Sequence, residues 1–352
     1  TVRVDNDLVI DGFSFKNTQG RVALDVGSGS LLASNGSFQN CVGTTLSSYG
    51  TASGIFVQAA GSCILVNSSA RLVGLSFVDC SFNLNSGYYA GGLVGIKSES
   101  ETVVEGCTFL RPRGSISSGL TMGGCIGVLG RGPQIRGTQI SIPDNANWGL
   151  SNSGGAAAFG YWPTGASSTM VVENCSLDLR GLSSSGSFAA VGSINGPVVI
   201  EDTRFDMRAG AVFVGSAFNG QSSTAELLDC DIVYTPISAV SVGLCTSVYS
   251  GVPSSISLTR CRVSSQGGVV SSFGSELASL HLRQTKVAGW LGSRFFNPAS
   301  AITAVECVFD RSDGPILLAR NSVDLARCTF SYVNGLVVGQ QGAVPVVTAK
   351  DS

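Results

Sequence analysis

Charge is scarce in this chain: Asp, Glu, Lys and Arg make up only 12% of its 352 residues, about half the ~25% of an average soluble domain. Histidine occurs once, methionine and tryptophan three times each, and proline ten times. So few charges leave little material for helix caps or for salt bridges along a helix face, which disfavours a helical protein. The net charge of −2, with no basic run and no aromatic–basic interleaving, argues against nucleic-acid binding. No apolar stretch reaches the ~18 residues of a membrane-crossing helix. A single histidine and the absence of any Cys-x-x-Cys speak against a zinc site, so no metal centre is expected. No Gly-x-Ser-x-Gly elbow accompanies that histidine, His281. What the chain does have is 43% hydrophobic residues, 46 glycines and many serines. Apolar residues to bury and small residues for turns together favour an all-β fold.

One pattern recurs along the sequence: apolar, x, apolar, x, x, Cys or Thr, x, apolar. Clear copies run from Thr102 to Phe109, Met170 to Leu177, Val198 to Phe205, Ile256 to Val263 and Val323 to Phe330. Weaker ones begin at Leu8, Leu31, Leu75, Pro133, Ala225, Leu280 and Ile302. Numbering the Cys/Thr position as 0, this anchor falls at Phe13, Gly36, Cys80, Cys107, Thr138, Cys175, Thr203, Cys230, Cys261, Thr285, Cys307 and Cys328. The last four anchors lie 24, 22 and 21 residues apart, whereas the interval from Gly36 to Cys80 is the longest and must carry an inserted loop. A repeat of this period marks a stacked architecture in which no unit buries its interior alone.

The pattern has a direct physical reading. Positions −5 and −3 share one face of a strand, and positions 0 and +2 share the opposite parity, yet all four are apolar. A corner at −2 and −1 must therefore shift the side-chain phase so that both strands face one interior. Polar or turn-tolerant pairs such as Asp11-Gly12, Glu105-Gly106, Glu173-Asn174 and Glu201-Asp202 occupy it. A glycine-rich link and a further apolar run follow each anchor, giving about three strands per coil. About twelve coils at the ~4.8 Å strand spacing make a rod roughly 55–60 Å long. The expected fold is an all-β, right-handed parallel β-helix solenoid, a single domain over 1–352 with a loop insertion at 144–169.

The repeat unit, as in Val103 to Phe109 and Val171 to Leu177, resembles the coil motif of the pectin-lyase-like right-handed β-helix superfamily over nearly the whole chain. It is specific for architecture and almost silent on function. The Cys- and Ser-rich style also resembles the dispersed gene family of trypanosomatid surface proteins. The first resemblance implies a carbohydrate-active enzyme, a polysaccharide lyase or glycoside hydrolase, as one reading. Such enzymes cluster Asp with Arg, Lys or His on one strand face, and no such cluster stands out here.

Candidate sites follow from the repeat. The core ladder is Cys80, Cys107, Thr138, Cys175, Thr203, Cys230, Cys261, Thr285, Cys307 and Cys328. Its Cys/Thr interchange points to a small buried slot, because Thr replaces neither a disulfide partner nor a metal-bound thiolate. Stacked neighbours such as Cys307 and Cys328 come within disulfide range, so that alternative stays open. Cys41, Cys63, Cys125 and Cys245 lie off the ladder, and a pairing of Cys41 with Cys63 has no sequence support. Glu173 and Glu201 at −2, with Asp202 and Asp229 at −1, form an acidic corner patch. Its functional readings are a Ca²⁺ site or a carboxylate pair for glycoside hydrolysis; the structural reading is a solvated corner with splayed side chains. Asn35, Asn67 and Asn174 head N-x-S/T sequons and permit glycosylation. Position −4, outward, is apolar at Val9, Leu32, Val103, Val171 and Val199, either for β-propensity or as a face covered by a partner or by the 144–169 insert with Trp148, Tyr161 and Trp162.

The leading functional expectation is a non-catalytic extracellular or cell-surface module with a structural or adhesive role. Its expected partner is a glycan or protein, on an outer face or at the solenoid ends. The alternatives are the carbohydrate-active enzyme and a subunit of a filament. Thr1 to Val4 shows no signal-peptide pattern, and neither end carries a capping helix, so a leader has been removed or the chain is a segment of a longer β-helical protein.

Overall fold

The computed structural model describes the chain except for residues 48–49, 53–54, 86, 117–118, 143–148, 151–155, 165–167, 182–187, 209, 217–222, 236–241, 248–254, 266–278, 289–298, 313–316, 334–336, 340–345 and 351–352. Among the described residues there are strands and no helices. The protein is a parallel β-helix. Three long sheets run down the stack, starting at Val2–Val4, Leu8–Asp11 and Ser14–Lys16, and each strand pairs in parallel with its counterpart one coil away. A short fourth sheet, from Gln19–Gly20 to Gly149–Leu150, widens the N-terminal coils. The third sheet has twelve strands, one for each repeat of the motif.

The corner between the second and third sheets is tighter than a two-residue turn. Position −2 stays in the strand, so that Glu105, Arg136, Glu173 and Glu201 are successive register partners. Only position −1 leaves the β region: Asn35, Asn174, Asp202, Asp229, Arg260, Gln284, Glu306 and Arg327 all have φ between 46° and 56°. One left-handed residue is enough to reset the side-chain alternation and turn positions 0 and +2 inward. That conformation strains most L-residues by about 1–2 kcal/mol and is cheapest for Gly, Asn and Asp. The N-terminal corners use those types, while the C-terminal ones put long side chains there.

Both ends of the corner are tied to neighbouring coils. The N–H of position −1 donates to the −2 carbonyl of the next coil, as Asn174 does to Glu201 and Asp229 to Thr259. The N–H of position +1 donates to the anchor carbonyl of the previous coil, as Ser176 does to Thr138 and Arg204 to Cys175.

The anchor side chains are enclosed. Cys107, Cys175, Cys230, Cys261, Cys307 and Cys328 are all buried, as are Thr138, Thr203 and Thr285. Their interchange has a specific cause. Each side chain donates to the carbonyl two residues back: Cys175 Sγ to Glu173 at 3.3 Å, Thr203 Oγ1 to Glu201 at 2.8 Å, Cys261 Sγ to Thr259 at 3.4 Å. A second carbonyl, from position −3 of the preceding coil, lies within reach of several, as Leu227 does for Cys261 at 3.4 Å. Thiol and hydroxyl alike supply the one donor that a bent corner needs.

The third coil differs from the sequence reading. Phe77, not Phe82, is the register partner of Phe38 and Phe109, so the motif there runs from Ala70 to Phe77 and Leu75 holds the anchor in place of Cys80. The slip arises because a second corner obeys the same rule. Asn17, Asn40, Asp79 and Arg111, between the third and fourth sheets, also take φ of 49° to 54°. Cys80, following Asp79, belongs to this second row together with Thr18 and Cys41. With the register corrected, the inner aromatic ladder is continuous: Phe15, Phe38, Phe77 and Phe109 stack face to face, with the last two centroids 4.4 Å apart and 1° from parallel. Gly36 fills its anchor because the Phe13 ring already occupies that space; a Cβ there would lie 2.3 Å from it.

The 144–169 insertion is also revised. Gly149–Leu150 and Ala156–Pro163 are strands of the stack, and on the latter, within the first sheet, Tyr161 is buried in the main core and Trp162 in a separate apolar cluster on the opposite face. The outer apolar row is exposed at Val9 (74%) and Leu32 (38%), half-buried at Val171 and Val199, and buried at Val103. Trp148 lies outside the described residues.

Thr203 provides a test of the anchor. Thr203→Cys is expected to keep stability within about 1 kcal/mol, because a donor remains. Thr203→Val, of equal shape, removes one of two donors to the Glu201 carbonyl, which keeps its bond from the Asn174 N–H, and leaves unpaired the Cys175 N–H that now donates to Thr203 Oγ1 at 3.3 Å, and is expected to cost about 1–3 kcal/mol. Urea unfolding followed by circular dichroism measures both; equal losses would refute the donor role.

Candidate functional site

The acidic corner forms a row along the stack. Glu173 and Glu201 are register partners at −2, and Asp202 and Asp229 occupy the exposed left-handed positions of adjacent coils. Arginines from neighbouring coils meet this row. Arg136 Nε lies 3.1 Å from Glu173 Oε2, and Arg260 Nε donates to Asp229 Oδ1 at 2.8 Å. The same device recurs at Asp79 with Arg111, and at Glu306 with Arg327 and Gln284. The guanidinium groups stand where a cation would otherwise be needed. Hydrogen bonds from Arg260 hold the Asp229 carboxyl below the usual carboxylate range. A general acid for glycoside hydrolysis needs the reverse, a carboxyl kept protonated near neutral pH.

The sequons have a structural origin. Asn35 and Asn174 are exposed left-handed corner residues, and the anchor and a small polar residue follow each of them. The coil grammar at −1, 0 and +1 thus writes N-x-S by itself. Asn67 is half-buried on a different turn, with its N–H bonded to Val26. His281 is exposed on the outward side of its strand.

Three cysteines converge elsewhere. The sulfur atoms of Cys41, Cys63 and Cys80 all lie within 4.8 Å of one another, and all three residues are completely buried. Among the described residues this is the only group of three or more His, Cys, Asp or Glu side chains so placed. Cys41 and Cys80 come from the second corner row on adjacent coils; their link is the hydrogen bond from the Ser81 N–H to the Cys41 carbonyl. Cys63 reaches them from across the interior, at the entry to the first-sheet strand Ile64–Val66. Thr18 stacks above Cys41 on the first coil, and its buried hydroxyl has no hydrogen-bond partner. Hydrogen bonds from Cys63 and Cys80 depress the Cys41 thiol far below its ordinary range, while burial pushes Cys63 well up. On the main ladder, by contrast, burial pushes Cys107, Cys175 and Cys307 up to about 11. Those thiols stay protonated and unreactive at neutral pH. Sequence spacing did not expose this cluster; the one available signal was the corner residue preceding Cys41 and Cys80. The side chain of Cys245 lies outside the described residues.

No family model matches the chain, and no curated protein or solved structure is found similar to it. The fold and these sites define a parallel β-helix solenoid with neutralised corners and a buried thiol cluster.

The Arg260 contact makes stability depend on pH in a defined sense. The folded carboxyl of Asp229 titrates below its ordinary 3.8, so its contribution is complete above that value and disappears as pH falls through the folded pKa. The difference in melting midpoint between wild type and Asp229→Asn should be flat at neutral pH and move against wild type below about pH 3.8. A difference unchanged by acid would show that the contact has no energetic weight.

Proposed function

We propose that this chain is a non-catalytic structural or adhesive module, a rigid rod of the pectin-lyase-like type that works at a cell surface. One observation carries the reading. The outward row at +1 on the third sheet is uncharged over six successive coils: Ser14, Ser37, Ser76, Thr108, Gln139 and Ser176. It then turns charged, through Arg204, Asp231, Arg262 and Lys286. The neutral segment offers hydroxyl and amide groups at the ~4.8 Å strand spacing on a rigid backbone. The partly exposed apolar row of Val9 and Leu32 lies on the neighbouring face. Evenly spaced neutral hydrogen-bonding groups suit a glycan or an extended protein segment, and a preformed surface binds without an ordering cost. The exposed sequons at Asn35 and Asn174 permit glycosylation and so are compatible with a surface location. In the acidic corner Glu173 and Asp229 are paired with Arg136 and Arg260, which leaves the enzymatic reading little chemistry to work with.

Binding and turnover assays separate the readings. Saturable binding to glycans or cells, lost in the double variant Ser76→Glu with Thr108→Glu, is the expected result. Cleavage of a polyuronide or other polysaccharide, abolished by Glu201→Gln, would overturn the proposal.

A further inference from the structure

The longest break in the stack lies beside the thiol cluster. After Val42–Gly43, which pairs with Gln19–Gly20 in the fourth sheet, the chain leaves the second coil and forms the strands Thr45–Leu46, Gly50–Ala52 and Ile55–Gly61 before it re-enters the third coil at Cys63. These strands make antiparallel pairs, Gly50 with Val57 and Leu46 with Ala60, in a molecule whose other described pairings are parallel. Cys41 and Cys63 therefore bracket the excursion at its two ends. Cys80, one coil on from Cys41, supplies the third sulfur.

The contacts of the cluster differ from those of the anchor ladder. An anchor thiol donates to corner carbonyls. Cys80 does so too, to Phe38 and Val78 at 3.4 Å, and Cys41 to Gln39 at 3.7 Å and Phe15 at 3.8 Å, but the contacts of Cys63 among the described residues are the Ser62 hydroxyl, at 3.8 Å, and the other two sulfurs. A thiolate-bound metal places sulfur atoms about 2.3 Å from the ion and hence roughly 4 Å from each other. Three sulfurs mutually within 4.8 Å need only small rotations to reach that geometry. The partnerless hydroxyl of Thr18 lies beside Cys41 and offers a neutral fourth donor.

We propose that Cys41, Cys63 and Cys80, with Thr18 Oγ1 completing the set, form a closed site for a thiophilic closed-shell cation, Zn²⁺ or Cu⁺, that clamps the base of the 44–61 excursion onto the stack. Binding replaces three S–H bonds with three metal–sulfur bonds and releases three protons to solvent, with no change of oxidation state. The residual charge is −1 for Zn²⁺ and −2 for Cu⁺. With four protein donors and no exposed sulfur the site is structural, so its binding energy adds to folding stability.

The test uses the full chain, purified under reducing conditions and stripped with chelator. Titration with Zn²⁺, with Co²⁺ as its spectroscopic reporter, and separately with Cu⁺ should give about one tightly held equivalent with thiolate-to-metal charge-transfer absorption in at least one arm. The melting midpoint should rise on loading. Hydrogen exchange in 45–61 should slow. Cys63→Ser should abolish tight binding. Cys41→Thr keeps a corner residue that the same row already carries at Thr18, so it should fold with an unchanged circular dichroism spectrum and unfolding midpoint in the metal-free state, yet bind at least a hundredfold more weakly. Cys125→Ala, at a buried thiol outside the cluster, should retain the site. Tight binding that survives in both Cys63→Ser and Cys41→Thr would overturn the proposal. So would no thiolate–metal absorption in either arm, or a disulfide joining two of the three cysteines in the untreated protein.

Discussion

Every coil depends on one left-handed residue, free of strain where it is Gly12, Gly74, Gly106 or Gly137 and strained elsewhere. The left-handed residue at −1 turns the strand after it back onto the same interior, and its N–H and that of +1 tie the turn to the coils on either side. Remove the positive φ and positions 0 and +2 would point to solvent, exposing the Phe, Ile and Leu row that fills the rod. The strain is small at each corner without glycine but recurs down the stack. It is tolerated because the hydrogen bonds across the stack, the inward thiol or hydroxyl and the stacked aromatic rings all require the same geometry. Asn and Asp ease it in the middle of the molecule. Arg260, Gln284, Glu306 and Arg327 accept it, and their long side chains return part of the cost as contacts along the corner.

The same corner organises the chemistry. Its polar −2 and −1 positions set acidic and basic side chains into columns, so Glu173 meets Arg136 and Asp229 meets Arg260 without any dedicated site. Its anchor places a small donor inside. Where the rule is used twice in one coil, as in the N-terminal turns with their fourth sheet, two rows of inward-turned positions face one interior. The thiol cluster arises from that doubling: Cys41 and Cys80 stand on the second row, and Cys63 enters where the chain returns from its excursion.

Much of the fold was legible because the motif states which residues share an interior. The ladder from Cys107 to Cys328 and the phenylalanine row follow from parity alone. The third coil was misread because Phe77-Val78-Asp79-Cys80-Ser81-Phe82 satisfies the same pattern as Leu72 to Phe77, and parity cannot tell a first corner from a second. The sequence leaves Tyr161 and Trp162 open as a cover for the outer row; register with 126–130 instead sets them on one strand of the first sheet, Tyr161 facing the main core and Trp162 the opposite face. The cysteine cluster was illegible for a different reason. Residues 41, 63 and 80 have no local spacing in common, and only the stacking of coils with an excursion between them brings their sulfurs together.

Equivalent register also bears on how such a molecule changes over generations. Between Thr285, Cys307 and Cys328 the coils are interchangeable in their inward residues, and each contacts only its neighbours. Duplication or loss of one such segment, in phase, would alter the reach of the rod by about 4.8 Å while leaving its lateral faces continuous. Length is thus a quantity that unequal recombination can adjust in single steps, independently of whatever the side faces hold.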